Sequence, residues 1–215
     1  MALPQRLLEP IDRISEVLFG LIMVLTATGT LSVVNAGNPE IKTMILGALG
    51  CNLAWGIIDG GLYLLGCLEE SGRNLMTVRK VKEAADLTAA QNAIAHALPE
   101  PIAESLSPDD LDLIARKVAT FSVPPRRPVF AIEDWLGAGS VCLWVFVSTI
   151  PVVIPFFVTG DVRLALRLSN IVAIAMLFVC GYAFGRITGL SPWPAGIVMV
   201  FVGVALTGVA IALGG

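Results

Sequence analysis

The feature that most constrains this chain is a set of five apolar stretches, at about residues 17–36, 44–65, 135–158, 166–184 and 193–213. Each is near the roughly 20 residues that a helix needs to cross about 30 Å of hydrocarbon at about 1.5 Å per residue. With 56% hydrophobic and 14% charged residues and a mean hydropathy of +0.82, the chain is too apolar for a soluble domain. The first stretch is too long for a signal-peptide core and no small-residue cleavage site follows it, so it is expected to be retained as a helix. The expected fold is an all-α integral membrane protein of five transmembrane helices. It divides into the first two spans (1–68), a cytoplasmic helical segment (69–134) and spans three to five (135–215).

Lys and Arg collect on the cytoplasmic side of membrane proteins and so predict orientation. Eleven fall on one side: Arg6 and Arg13, then Arg73, Arg79, Lys80, Lys82, Arg116, Lys117, Arg126 and Arg127 between spans two and three, and Arg186. Only Lys42, Arg163 and Arg167 fall on the other. The N-terminus and the long connection are therefore expected inside and the C-terminus outside, in a prokaryotic inner membrane or, alternatively, an organelle membrane. The bilayer is the expected surrounding. The net charge of −3 and the absence of a basic stripe exclude a nucleic-acid partner.

Within the long connection, residues 71–98 hold Ala, Lys, Glu and Gln with few breakers and predict one helix, continuing from span two or starting just after it. A second start is marked by Ser107-Pro108-Asp109-Asp110, an N-cap serine with proline at the first helical position and acids in the first turn. Leu111, Leu113, Ile114, Val118 and Phe121 give that helix its apolar positions, and Pro124-Pro125-Arg126-Arg127-Pro128 ends it. Large apolar side chains are few here, so the segment is expected to pack on a second copy or on the bundle. In the spans, Gly56 with Gly60 and Gly181 with Gly185 allow close helix approach, while Pro151 and Pro155 interrupt span three.

An ionisable group inside the bilayer costs about 2.5–3.5 kcal/mol at mid-helix on insertion scales, so each needs a reason. Asp59 is the clear case. Asn52, Tyr63 and Glu70 fall on nearly the same helical face, making one polar stripe on an apolar span. The stripe predicts an ion or proton site, the alternative being an aspartate held by a neighbouring helix through Asn170. On the first helix Asp12, Glu16, Met23 and Thr30 project within roughly 40° of one another. Two carboxylates at the mouth and a thioether deeper suit a divalent transition metal, since hard oxygens accept the ion and sulphur discriminates against Mg²⁺ and Ca²⁺. The plainer readings are a helix-dipole complement and packing.

Glu69 and Glu70, at the inner end of span two, read as a solvated helix end, the alternative being an extension of the acidic entrance, and Glu133 and Asp134 precede span three similarly. His96, the only histidine, reads as a surface residue. Cys51, Cys67, Cys142 and Cys180 form no C-x-x-C pair and read as packing residues, not as a zinc site or disulfide framework. No catalytic motif is present, which argues against an enzyme.

Two local runs carry a family resemblance. Ser148-Thr149-Ile150-Pro151-Val152-Val153-Ile154-Pro155-Phe156 resembles G-x-x-I-P-x-x-P-Y, and Leu177-Phe178-Val179-Cys180-Gly181-Tyr182-Ala183-Phe184-Gly185 resembles L-F-x-x-G-Y-x-x-G. Both patterns belong to the vacuolar iron transporter (VIT) family. The resemblance implies five spans, a cytoplasmic helical segment and a dimeric pore lined by the first helix. It places the family's paired acids on Asp12 and Glu16, its deeper aspartate on Met23, and the metal-binding methionine of its second helix near Ile57. The family's glutamate-rich cytoplasmic site is not reproduced by the spacing of Glu83, Glu100, Glu104, Asp109, Asp110 and Asp112.

The resulting expectation is a homodimeric transporter that exports Fe²⁺ or Mn²⁺ from the cytoplasm against protons, with the ion as cargo and no permanently bound cofactor. Asp12 and Glu16 recruit the ion, Met23 selects it, and Asp59 binds it or exchanges a proton. Asn52, Tyr63 and Glu70 are secondary candidates. The alternatives are a membrane scaffold or regulatory subunit that keeps the fold without transport, and a transporter of another solute.

Overall fold

The computed structural model of the chain describes residues 10–34, 41–120 and 127–213. Arg6, Arg126, residues 35 and 36 of the first apolar run, Phe121 and the Pro124-Pro125 helix stop lie outside the described residues. The described elements are, in order, α1 (Pro10–Val34), α2 (Ile41–Lys82), α3 (Leu87–Ala95), α4 (Glu100–Ser105), α5 (Pro108–Ala119), α6 (Ile132–Val158), α7 (Val162–Thr188) and α8 (Pro192–Ala212). The architecture is all-α, and α1, α2, α6, α7 and α8 are each long and apolar enough to cross a membrane. These are the five expected spans.

Two compact units form. One comprises the described residues up to Tyr63 together with Glu133 onward, and the other is Leu64–Ile132. The core of the first joins Leu21, Val24 and Leu25 of α1, Met44 and Ala48 of α2, Val152, Val153 and Phe156 of α6, and Ala165, Ala173, Leu177 and Cys180 of α7. Lipid tails are as apolar as these side chains, so helix association there depends on close packing and on interhelical hydrogen bonds. Both glycine pairs singled out in the sequence sit at such approaches. A Cβ on Gly60 would come within 3.0 Å of the Ala138 carbonyl oxygen of α6, and one on Gly181 within 2.7 Å of the Ala195 carbonyl oxygen of α8. The helix α6 runs through Pro151 and Pro155 without ending.

Asn52 supplies the hydrogen bonds. It is fully buried, and its Nδ2 donates to the Gly20 carbonyl of α1 at 2.8 Å and to the Thr149 hydroxyl of α6. One side chain on α2 thus ties together three helices. At Gly20 the approach leaves no space for a Cβ, which would fall 2.7 Å from the Val145 carbonyl oxygen.

In the second unit the single helix expected over 71–98 is two. The long α2 carries on from the second span to Lys82, the chain then leaves the helix, and α3 begins at Leu87. Asp86 is the cause: its carboxylate accepts from the Ala89 amide at 2.7 Å, satisfying an N-terminal donor of a new helix. The restart lets Ala90 and Ile94 pack against Val81 and Ala115, giving the segment a small core of its own where none was expected. Short alanine-rich faces made this core accessible to a segment with few large apolar residues. The start of α5 follows the sequence reading, with the Ser107 hydroxyl accepting from the Asp110 amide and the Asp110 carboxylate accepting from the Ser107 amide at 3.0 Å.

Asn52→Ala is expected to lower stability by about 1–2 kcal/mol, the range of interhelical polar contacts in membranes, whereas the exposed Asn170→Ala is neutral; unfolding in mixed detergent compares them. A second expectation concerns the α5 cap. Hydrogen bonds from Ser107 hold the Asp110 carboxyl below the usual carboxylate range. Because the folded value is the lower one, the cap's contribution is present above the unfolded value near about 4 and fades as pH falls through the folded value. A ¹³C titration of Asp110 should give a midpoint below that of an ordinary aspartate, and Ser107→Ala should return it upward.

Candidate functional site

On α1 the residues Asp12, Ser15, Glu16 and Phe19 are spaced at three, four and seven positions, which brings them to one face. Pro10 begins that helix and Asp12 lies in its first turn, an arrangement that complements the helix dipole. On α2 the residues Asp59, Leu62 and Tyr63 repeat the same three- and four-residue spacing. The two faces meet around one cavity of about 340 Å³ lined by these seven residues.

Burial sharpens the chemistry. Glu16 and Asp59 are both half-buried, and Oε2 of Glu16 and Oδ2 of Asp59 are shielded from solvent with no hydrogen-bond partner among the described residues. A buried carboxylate oxygen left unpaired costs free energy, and two facing one cavity repel each other as well. Asp12, more exposed, adds a third carboxylate to the same wall. Such a surface attracts cations and offers them hard oxygen donors. Among the described residues no group of three or more His, Cys, Asp or Glu side chains is drawn together tightly enough to hold a metal ion.

The sequence-derived candidates divide accordingly. Asp12, Glu16, Asp59 and Tyr63 line the cavity. Met23, about two turns along α1 from Glu16, is half-buried and does not line it. Asn52 shares the Asp59 face but is spent on Gly20 and Thr149. Glu70 is exposed in the second unit, where Glu69 pairs with Arg73 at 3.7 Å. Asn170, considered as a partner for Asp59, is exposed on α7 and makes no hydrogen bond to it. Ser15, Phe19 and Leu62 were missed as lining residues; their spacing from Asp12 and Asp59 was the available signal.

The VIT family model matches residues 71–215, two thirds of the sequence. The chain belongs to the VIT family. This is a family of membrane transporters for metal ions, and the chain is accordingly a multi-pass membrane protein. The match takes in the second unit and α6 to α8, including the two VIT-like runs of α6 and α7. The cavity residues, 12 to 63, lie ahead of the matched stretch. No curated protein matches the chain.

If the unpaired carboxylates are held apart from their preferred partner, removing one should stabilise the metal-free protein. Glu16→Gln is expected to raise stability by about 1 kcal/mol through lost like-charge repulsion. Mn²⁺ is expected to raise the melting temperature of the native chain and leave that of the variant unchanged, read by thermal denaturation in detergent.

Proposed function

We propose that this VIT-family protein exports a divalent transition metal, Fe²⁺ or Mn²⁺, from the cytoplasm in exchange for protons, working as a homodimer. The observation that carries the reading is the cavity between α1 and α2, lined by Glu16 and Asp59, each of which has a shielded carboxylate oxygen without a hydrogen-bond partner among the described residues. A carboxylate binds either a proton or a cation, so ion arrival and proton release exchange at the same atoms. In this scheme Asp12 and Glu16 recruit the ion, Asp59 binds it or takes the proton, and Met23 meets it at a later, deeper step, where sulphur separates transition metals from Mg²⁺ and Ca²⁺. Export is supported by the eleven Lys and Arg residues that assign the N-terminus and the second unit to the cytoplasm.

A second reading, a scaffold or regulatory subunit that keeps the VIT fold without transport, is favoured by one observation: Met23, at the place of the family's deeper aspartate, stands outside the cavity. Uptake of Mn²⁺ or Fe²⁺ into proteoliposomes separates the two. The export reading expects uptake that depends on a pH gradient and falls about tenfold or more in Glu16→Gln and in Asp59→Asn, the scale of a lost charge-assisted contact. Folded protein that moves neither metal beyond empty vesicles would overturn the export reading in favour of the scaffold or of a transporter of another solute.

A further inference from the structure

The cavity between α1 and α2 has an end. In the direction of Val34 and Ile41 its lining stops at Phe19 on α1 and at Asp59 on α2, and the next glycine along each helix, Gly20 and Gly56, is buried. Gly20 has no room for a Cβ, which would fall 2.7 Å from the Val145 carbonyl oxygen, and one on Gly56 would come within 3.0 Å of the Cys142 carbonyl oxygen. Beyond them the interior is apolar: Leu21 and Val24 of α1, Met44 and Ala48 of α2 and Val152 of α6 are fully buried in one cluster. Further along, a Cβ on Gly47 of α2 would come within 2.8 Å of the Leu31 side chain of α1. The two helices are parted toward one end of the bundle and closed toward the other.

Asn52 stands at the boundary between the parted and the closed regions. Its side chain is fully buried, one turn from Gly56, and Nδ2 donates to the Gly20 carbonyl of α1 and to the Thr149 hydroxyl of α6. Its Oδ1 is buried too and has no hydrogen-bond partner among the described residues. An apolar residue here would extend the seal without the cost of burying an amide, and apolar constrictions suffice to exclude ions and water. A half-satisfied amide is a different device. Its two bonds hold the helices together, yet neutral polar contacts between membrane helices are weak, and the orphaned oxygen keeps the closed arrangement from being the amide's best one.

We propose that the Asn52 clasp is the gate of the transport path: with Nδ2 on Gly20 and Thr149 the cavity is shut off from the far side of the bundle, and opening requires Nδ2 to release both. This rests on the reading of the cavity as the transport site. On release, Oδ1 of Asn52 and the freed Gly20 carbonyl are acceptors that entering water satisfies, which offsets the two bonds given up. Asn52 carries no charge, so it neither traps a cation at the gate nor repels it. A role in cohesion alone would tie the helices together without controlling which side of the membrane reaches the carboxylates.

The test is the sidedness of thiol labelling in sealed vesicles of the full chain, with Cys51, Cys67, Cys142 and Cys180 replaced by alanine and Ser15→Cys as reporter in the cavity. A membrane-impermeant maleimide is applied to one face of the membrane or the other. The closed clasp should confine labelling to one face. Thr149→Val, which keeps the volume and removes one acceptor, should raise labelling from the opposite face about three- to tenfold, the scale of one hydrogen bond, and Asn52→Ala should raise it further. Thr28→Val should not, because that buried hydroxyl bonds within α1, to the Val24 and Leu25 carbonyls. Three results overturn the proposal even if Asn52→Ala does not fold: a reporter labelled equally from both faces, folded Thr149→Val with unchanged opposite-face labelling, or an equal rise in Thr28→Val. Metal is absent throughout, so the two readings fail separately. A clasp that controls sidedness in protein that moves neither Mn²⁺ nor Fe²⁺ gates another solute, and only the metal reading falls.

Discussion

Inside a bilayer a polar atom has no water to fall back on, and helices gain nothing from hiding apolar faces from one another. Cohesion then depends on the few places where backbones come close and where a polar side chain is satisfied by a neighbouring helix. In this protein the central such place is Asn52. Its amide donates to α1 at Gly20 and to α6 at Thr149, and glycine at position 20 permits the approach. Gly56 and Gly60 continue the same close contact of α2 with α6 along the helix, facing Cys142 and Ala138. The relative rotation of α1, α2 and α6 follows from this seam.

That rotation is what gives the carboxylates their setting. Asp59 lies two turns from Asn52 on one face of α2, and Glu16 lies one turn from Gly20 on α1. Once Asn52 is fixed on Gly20, the two acids are carried toward each other, and the space between them is walled by Tyr63, itself seated on α6. The bonds donated by Asn52 Nδ2 and the unpartnered carboxylate oxygens are neighbours on the same helices, and Oδ1 of Asn52 is itself buried without a partner among the described residues. Stability gained at the first holds the strain of the second, an arrangement common where a site must bind a charge that arrives from outside.

The second unit obeys different physics. Outside the apolar runs local signals regain their force: Asp86 starts α3, and Ser107 with Asp110 starts α5, by satisfying the first amides. Its core of Val81, Ala90, Ile94 and Ala115 is small, so caps and the Asp112 to Arg116 pair at 2.9 Å carry a larger share of its order than they would in a large domain.

Much of this was legible in the sequence because it depends on short-range periodicity and length. Five runs of spanning length determined five helices, the 3.6-residue repeat determined which residues share a face with Asp12 or with Asp59, and the Ser107 box determined where α5 starts. The family resemblance, read from two runs in α6 and α7, fell within the matched stretch. What periodicity cannot supply is the azimuth of one helix against another. The tertiary structure alone decided that Asn52 turns to Gly20 and Thr149, that Asp59 shares its cavity with Glu16 and not a bond with Asn170, that Met23 stands apart, and that Gly137 seats Tyr63. It also decided that the helix over 71–98 breaks at Asp86, where packing Ile94 against Val81 outweighs continued helix propensity. A sequence states which face each helix presents to its surroundings; only packing among distant segments determines which other face it meets.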